Sequence, residues 1–368
     1  MNRARAAATV ASMLVLPSVA ANAQGLPPYK IGATYPLTGP FAPAFADYLK
    51  GAVLAVEDIN RSGGIKGHPL QLPVEDSLGS PQGGIAAMRK LVQVDGVQCI
   101  LTTLTNVVTA EIPLADQLKI PTISLVETPG LFAKSEYSFA RAPTWGITLP
   151  MMVAYWKQHG IKRIYGMLTN NAIGQLQTVA VRAALQNIGV QYDDSLLDID
   201  TADFRGPIAR VRENNPDIVL ITGQGSTMEV SAIKQLRELG VKAQIWNLGQ
   251  NYSSRPYREA LGPYSEGLYY GGVYLDPNTS PKFVKRYKAA VGYVPGYPAG
   301  EAYDIIQMFA YAIAKGGYNG EAIRNVLVSL KGLPSVLGGT ITMGADHFTE
   351  FTTAGFFQVR SGRLVRIS

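Results

Sequence analysis

The residue types that could do metal or acid–base chemistry are few and badly spaced for it. Three histidines, His68, His159 and His347, occur in 368 residues. No two stand at metal-ligand spacing, and none lies in an HExxH pattern, so structural or surface roles are expected for all three. Cys99 is the single cysteine. It cannot form an internal disulfide or half of a paired-thiolate zinc site. It lies in the apolar run Val97 to Leu101 and reads as a small buried hydrophobe. The chain has no GxxxxGK[ST] phosphate loop and no GxSxG nucleophile elbow. Gly223-Gln224-Gly225 follows a strand-like run but lacks the third glycine of a dinucleotide fingerprint. The acidic stretch Asp193, Asp194, Asp198, Asp200, Asp203 lacks the register of a calcium loop and reads as a solvated strand end. The nineteen tyrosines are scattered singly, as core and rim packing would leave them. The residues argue for a binding protein without a cofactor or metal, not for a hydrolase, a zinc enzyme or a nucleotide enzyme.

The elements that would position a binding site are easier to read. The stretch Tyr29 to Asp76 opens with an apolar run, Ile31 to Leu37, broken at Thr38-Gly39-Pro40. Leu49, Val53, Val56 and Ile59 then fall on one helical face. Asn60 to Gly64 ends that helix, and a second strand is expected from Pro69 to Glu75. In open α/β sheets ligands bind at the carboxyl ends of the strands, so the first loop of this unit is a candidate wall. The alternation continues with a helix after Ser80-Pro81, a strand Val97 to Thr102, a helix Thr109 to Leu118 and a strand Ile120 to Leu125. Around Phe139 to Pro143 the chain is expected to leave this domain. Strand and helix then alternate again from Ile147 to Leu248, without sequence repetition. Strand Gly267 to Leu275 precedes a return crossing at Asp276-Pro277. Three helices and strands near Gly339, Gly355 and Leu364 close the chain. The pattern predicts an α/β fold of two lobes joined by several crossings, with a cleft between them.

Composition agrees: 47% hydrophobic and 16% charged residues suit a packed globular chain. The formal charge of +6 is spread along the sequence, which speaks against a nucleic-acid footprint. Arg3 and Arg5, the apolar Val10 to Val19 and the small-x-small site Ala21-Asn22-Ala23 read as a secretory signal peptide over residues 1–23. No later apolar run is long enough to cross a bilayer.

Several segments together resemble one family. They are IGATYPLTGPFA at 31–42, GAVLAVEDINRSGGIKGHPL at 51–70, VED at 74–76, SPQGGIAAMRKLV at 80–92, ADFRGPIARVRENNPDIVL at 202–220, AIKQLRELG at 232–240 and EGLYYG at 266–271. They resemble the leucine/isoleucine/valine-binding (branched-chain amino acid and amide) family of ABC-transporter substrate-binding proteins. The resemblance implies a type I periplasmic binding protein: two Rossmann-like lobes, hinge-linked, with a central ligand cleft. It implies lobe 1 over 24–144 and 275–349, and lobe 2 over 145–274 and 350–368. It also implies a periplasmic monomer that passes a small solute to ABC permease membrane subunits and binds no nucleic acid. The expected solute is a branched-chain or other apolar amino acid; the alternatives are an aromatic or other organic carboxylate or amide, or a ligand-sensing role.

The resemblance also locates ligand residues. Asn106, in the loop Thr103 to Asn106, falls where a serine that holds the ligand carboxylate is usual. Val126 and Thr128 match a backbone-amide and a threonine-hydroxyl position, with Glu127 between them. Phe45 fits the aromatic after the first Gly-Pro turn, and Tyr274 is the aromatic expected from the second lobe. Two tyrosines of the second lobe are replaced, near Ile173 and Gly225. The segment that should carry an acid for the ligand ammonium is neutral, with Asn247 and Gln250 as its candidate contacts. Glu127 could supply that acid from the first lobe instead.

Overall fold

Buried parallel strands read as short continuous apolar runs, and two sets of them build two sheets. The computed structural model describes residues 25–367 apart from Asn187, Thr352 and Thr353; residues 1–23, expected to be a signal peptide, lie outside the described residues. The first sheet has the order Val74–Asp76, Gly32–Tyr35, Ile100–Thr102, Thr122–Ser124 and Ser138–Ala140, all parallel. The second runs Gln191–Leu197, Arg163–Thr169, Ile218–Thr222, Gln244–Asn247 and Tyr269–Gly272 in parallel, then adds Gly355–Arg360 and Arg363–Arg366 antiparallel. In chain order the five parallel strands of each sheet follow the same spatial sequence, second–first–third–fourth–fifth. Each sheet therefore has a switch point between its first and third strands, where the two following loops diverge and leave a crevice.

Helices cover both faces of each sheet. Ala42–Arg61 starts with Pro43 in its first turn and ends at Gly63 and Gly64, both at positive φ. It packs along Tyr297–Gly316, and the axes approach so closely that a Cβ on Gly51 would sit 2.0 Å from the Ala299 carbonyl oxygen. Only glycine permits that contact. Ser80, Asn171, Ser226 and Asn319 cap the helices that follow them with side-chain oxygens. In the second lobe Trp246 stacks on Tyr269 at 4.8 Å and meets the edge of Trp156 at 5.6 Å.

The structure revises several expectations. Phe45 lies in the first turn of the Ala42–Arg61 helix, not in a loop. Pro73, which has no N–H to give a ladder, divides the expected strand 69–75 into Leu70–Gln71 and Val74–Asp76. The third helix starts at Thr105, four residues early. Ser138–Ala140 is the fifth strand of the first sheet, so the chain leaves that sheet only after Ala140. A helix at Arg255–Leu261 was not foreseen; Pro256 starts it and Gly262 ends it. The histidines have structural partners. His68 stacks on Tyr29 and His159 on Tyr155, and Nδ1 of His347 lies 3.0 Å from the Ser138 carbonyl oxygen. Cys99 is fully buried, which pushes its thiol well above the ordinary range. Among the described residues no helix is long and apolar enough to cross a membrane.

Candidate functional site

The loops beyond the two switch points face each other and enclose a cavity of about 80 Å³. One water needs roughly 10–15 Å³ by this measure, so the space suits a small organic solute. Three features decide what it could hold.

The first is an uncapped helix start. Leu104, in a left-handed conformation (φ 66°), precedes the Thr105–Leu118 helix and offers no side-chain cap. Thr105 faces the cavity, its Oγ1 lying 3.3 Å from that of Thr128. The Trp145–Gln158 helix also starts at the cavity, but its first N–H is taken: Trp145 N donates to the Glu127 carbonyl oxygen at 3.0 Å. The Thr105 helix start, without a side-chain cap, and the two hydroxyls make a wall suited to a carboxylate.

The second is Glu127, the one carboxylate in the lining. Its Oε1 accepts a hydrogen bond from Gln250 Nε2 across the cleft at 3.1 Å. Oε2 faces the Gly249 backbone, where a Cβ would stand 3.4 Å away. Burial pushes the Glu127 carboxyl up to about 7, against the opposing effect of the Gln250 hydrogen bond. Burial, and next the nearby Glu127, push the carboxyl of Glu301, 1% exposed, well above the usual carboxylate range.

The third is a brace in the second lobe. Glu229 is fully buried and accepts from the backbone N–H of Gly223 at 2.6 Å, from that of Gly225 at 3.2 Å and from Asn247 Nδ2 at 2.8 Å. Asn247 Oδ1 in turn accepts from Gly249 N at 2.6 Å. This fixes Gln224 in a left-handed conformation (φ 54°) on the cavity wall. Burial pushes the Glu229 carboxyl up to about 7, its hydrogen bonds acting the other way. Ser226 caps the same helix, and the spacing Ser226-x-x-Glu229 is a capping-box signal that was present in the sequence.

The lobes touch beyond the cavity. Thr227 N donates to the Pro40 carbonyl oxygen at 3.0 Å, and Gly225 lies so close to the first lobe that a Cβ there would be 2.5 Å from that of Ala44.

Of the residues expected from the sequence, Phe45, Val126, Glu127, Thr128, Asn247 and Gln250 line the cavity. Asn106 stands just behind it, one residue past Thr105, and its amide donates to the Gly79 carbonyl oxygen at 3.0 Å. Tyr274 lies elsewhere: its strand ends at Gly272, its ring stacks on Phe357, and it lines a separate groove with Arg255 and Arg258. Thr105, from the expected Thr103 to Asn106 loop, lines the cavity too, as do Trp145, Gln177, Thr222 and Gln224, which were not expected. Trp145, Thr222 and Gln224 lie within about a helical turn of a strand end or a helix start, and Gln177 on the second turn of the Ala172–Leu185 helix.

Two Rossmann-like lobes around such a cavity define a solute-binding architecture. A sequence model described as periplasmic binding protein matches residues 28–363. A Leu/Ile/Val-binding protein homologue from Brucella melitensis is 29% identical over 246 residues, 64% of this chain and 65% of that one, just under two thirds of its length. A leucine-binding protein of Thermotoga maritima superposes with a TM-score of 0.83 at 19% identity, covering 92% of this chain and 98% of that one. A solute-binding protein of an ABC transporter from R. palustris, in complex with benzoate, superposes with a TM-score of 0.82 at 18% identity, covering 92% and 95%. The chain belongs to the periplasmic binding protein family.

Proposed function

We propose that this protein captures a small amino acid outside the cytoplasm and hands it to an ABC permease. The observation that carries the reading is the juxtaposition, on one lobe, of a carboxylate-binding wall at Thr105 and Thr128 with the half-buried Glu127. Glu127 has an amide partner and no cation. A carboxylate removed from water without a counter-charge is costly, and a ligand ammonium would relieve that cost. An α-amino acid carries both complementary groups about one residue apart. Gln250 and the Gly249 backbone would close over it from the second lobe, as hinge closure brings the two walls together.

A second reading is supported by the rings of Phe45, Tyr48 and Trp145 in the cavity lining. With its raised pKa, Glu127 could instead stay protonated and donate to an aromatic carboxylate that has no ammonium. Thermal-shift assays on protein stripped of carried-over solute by unfolding and refolding separate the two. A ligand at 100 times its Kd adds about 2.7 kcal/mol of stability. A shift with leucine, valine or their relatives supports the first reading. Shifts confined to benzoate-like acids sink it in favour of the second.

A further inference from the structure

Most polar side chains that the second lobe brings to the cavity are already paired within the protein. Thr222 Oγ1 donates to Gln177 Oε1 at 2.7 Å, and Asn247 is held between Glu229 and Gly249 N. Gln250 bridges Glu127 and Val273 N, the latter at 2.8 Å. Two groups differ. The indole Nε1 of Trp145 and the amide Nε2 of Gln224 are shielded from solvent and have no partner among the described residues. The indole N–H can only donate. Glu229 grips the N–H groups on both sides of Gln224 and holds its left-handed backbone, which sets the point from which the side chain leaves the chain. Donors fixed in this way cost free energy until they meet an acceptor.

We propose that the solute carries a hydrogen-bond acceptor besides its carboxylate, the oxygen of a hydroxyl, carbonyl or carboxamide, and that Gln224 and Trp145 receive it. This rests on the reading above, in which the carboxylate lies against Thr105 and Thr128. It narrows the class from apolar side chains to oxygen-bearing ones of similar size, in either the amino-acid or the aromatic-acid series. Glu229 is then a positioning residue: it sets the direction of the Gln224 amide without touching the solute. A wall built to bond an oxygen discriminates strongly against the isostere that lacks it, since its donors are left unpaired.

The test is a titration-calorimetry comparison of near-isosteric pairs on stripped protein: valine with threonine, leucine with asparagine, and benzoate with 4-hydroxybenzoate. In the pair that binds, the oxygen-bearing member is expected to be tighter by about 10-fold or more. Gln224→Met and, separately, Trp145→Phe should each pull that ratio toward one, with folding of each variant checked by its melt without ligand. Glu229→Gln, which keeps the shape, should lower the ratio less than Gln224→Met does. Equal or tighter binding of the apolar members, or a ratio that neither Gln224→Met nor Trp145→Phe changes, overturns the inference and leaves the carboxylate reading standing. Failure of every member of all three pairs to bind sinks the carboxylate reading and the inference with it.

Discussion

Glu127 is the residue on which the amino-acid and aromatic-acid readings part, and protons report the difference. Burial holds its carboxyl at about 7, so at neutral pH the unliganded protein is roughly half ionised there. An ammonium set against the carboxylate lowers the pKa by about 1–3 units. Binding an amino acid at pH 7 should therefore release about half a proton per solute. Affinity is then proportional to the ionised fraction, which rises about 10-fold between pH 6 and pH 8 for a pKa of 7. An acid without an ammonium adds negative charge and raises the pKa. It should take up about half a proton at pH 7 and bind about 10-fold more weakly at pH 8 than at pH 6. Calorimetric titration at pH 7 in two buffers of different ionisation enthalpy gives the proton number and its sign. Glu127→Gln should bring that number close to zero. Binding with no proton exchange in the wild type, or with the same exchange in Glu127→Gln, would refute the role given to this side chain.

Other consequences follow from closure and from the buried charges. Gly225→Ala puts a Cβ 2.5 Å from that of Ala44 and imposes a side chain at φ 74°; solute affinity should fall at least about 10-fold while scattering shows a more open molecule. Unchanged affinity in that variant would mean that the Gly225–Ala44 approach is not part of the bound state. Glu229 and Glu111 are buried with carboxyls pushed up to about 7 and about 8. The folded state binds their protons more tightly than the unfolded chain does, so this stability is full below about pH 4.5 and is lost as pH rises through 7 to 8. The ceiling is about 3 kcal/mol for Glu229 and about 5 kcal/mol for Glu111; the melting temperature of stripped protein should drop from pH 6 to pH 8.5, and less so in Glu111→Gln. Arg141 and Asp304 form a buried pair at 3.0 Å beside the strand that leaves the first sheet. Arg141→Met strands the carboxylate and should cost about 3–5 kcal/mol in urea unfolding, whereas Arg141→Met with Asp304→Leu should recover part of it.

The two-sheet α/β fold was legible because parallel strands covered on both faces leave unbroken apolar runs, such as Ile218–Thr222, in which every residue is buried. Ser80-Pro81 marked a helix start, and Ser80 does cap that helix with its side-chain oxygen. Ser138–Ala140 was missed because it is only three residues long and belongs to the sheet through its neighbour, not through a pattern of its own. The early start of the 105–118 helix was not legible because Leu104 before it offers no side-chain cap to mark it. For the site, Glu127 and Thr128 were legible through family spacing. Tyr274 was misplaced because its strand ends two residues before it and the chain turns toward a different groove. Gln224 and Trp145 were not legible as site residues. Nothing local in sequence says that a glutamine between two glycines and a tryptophan at a helix start, about eighty residues apart, share one wall.

The central claim is that the wall at Thr105 and Thr128 holds the carboxylate of a small solute. The most direct measurement is mass spectrometry of what the folded protein carries. Wild-type protein incubated with the host's small-molecule extract, desalted and then unfolded should release one carboxylate-bearing solute in near-stoichiometric amount. The variant Thr105→Val with Thr128→Val, with an unchanged melt, should release little of it. A released solute without a carboxylate, or equal loading of the wild type and the double variant, would contradict the account.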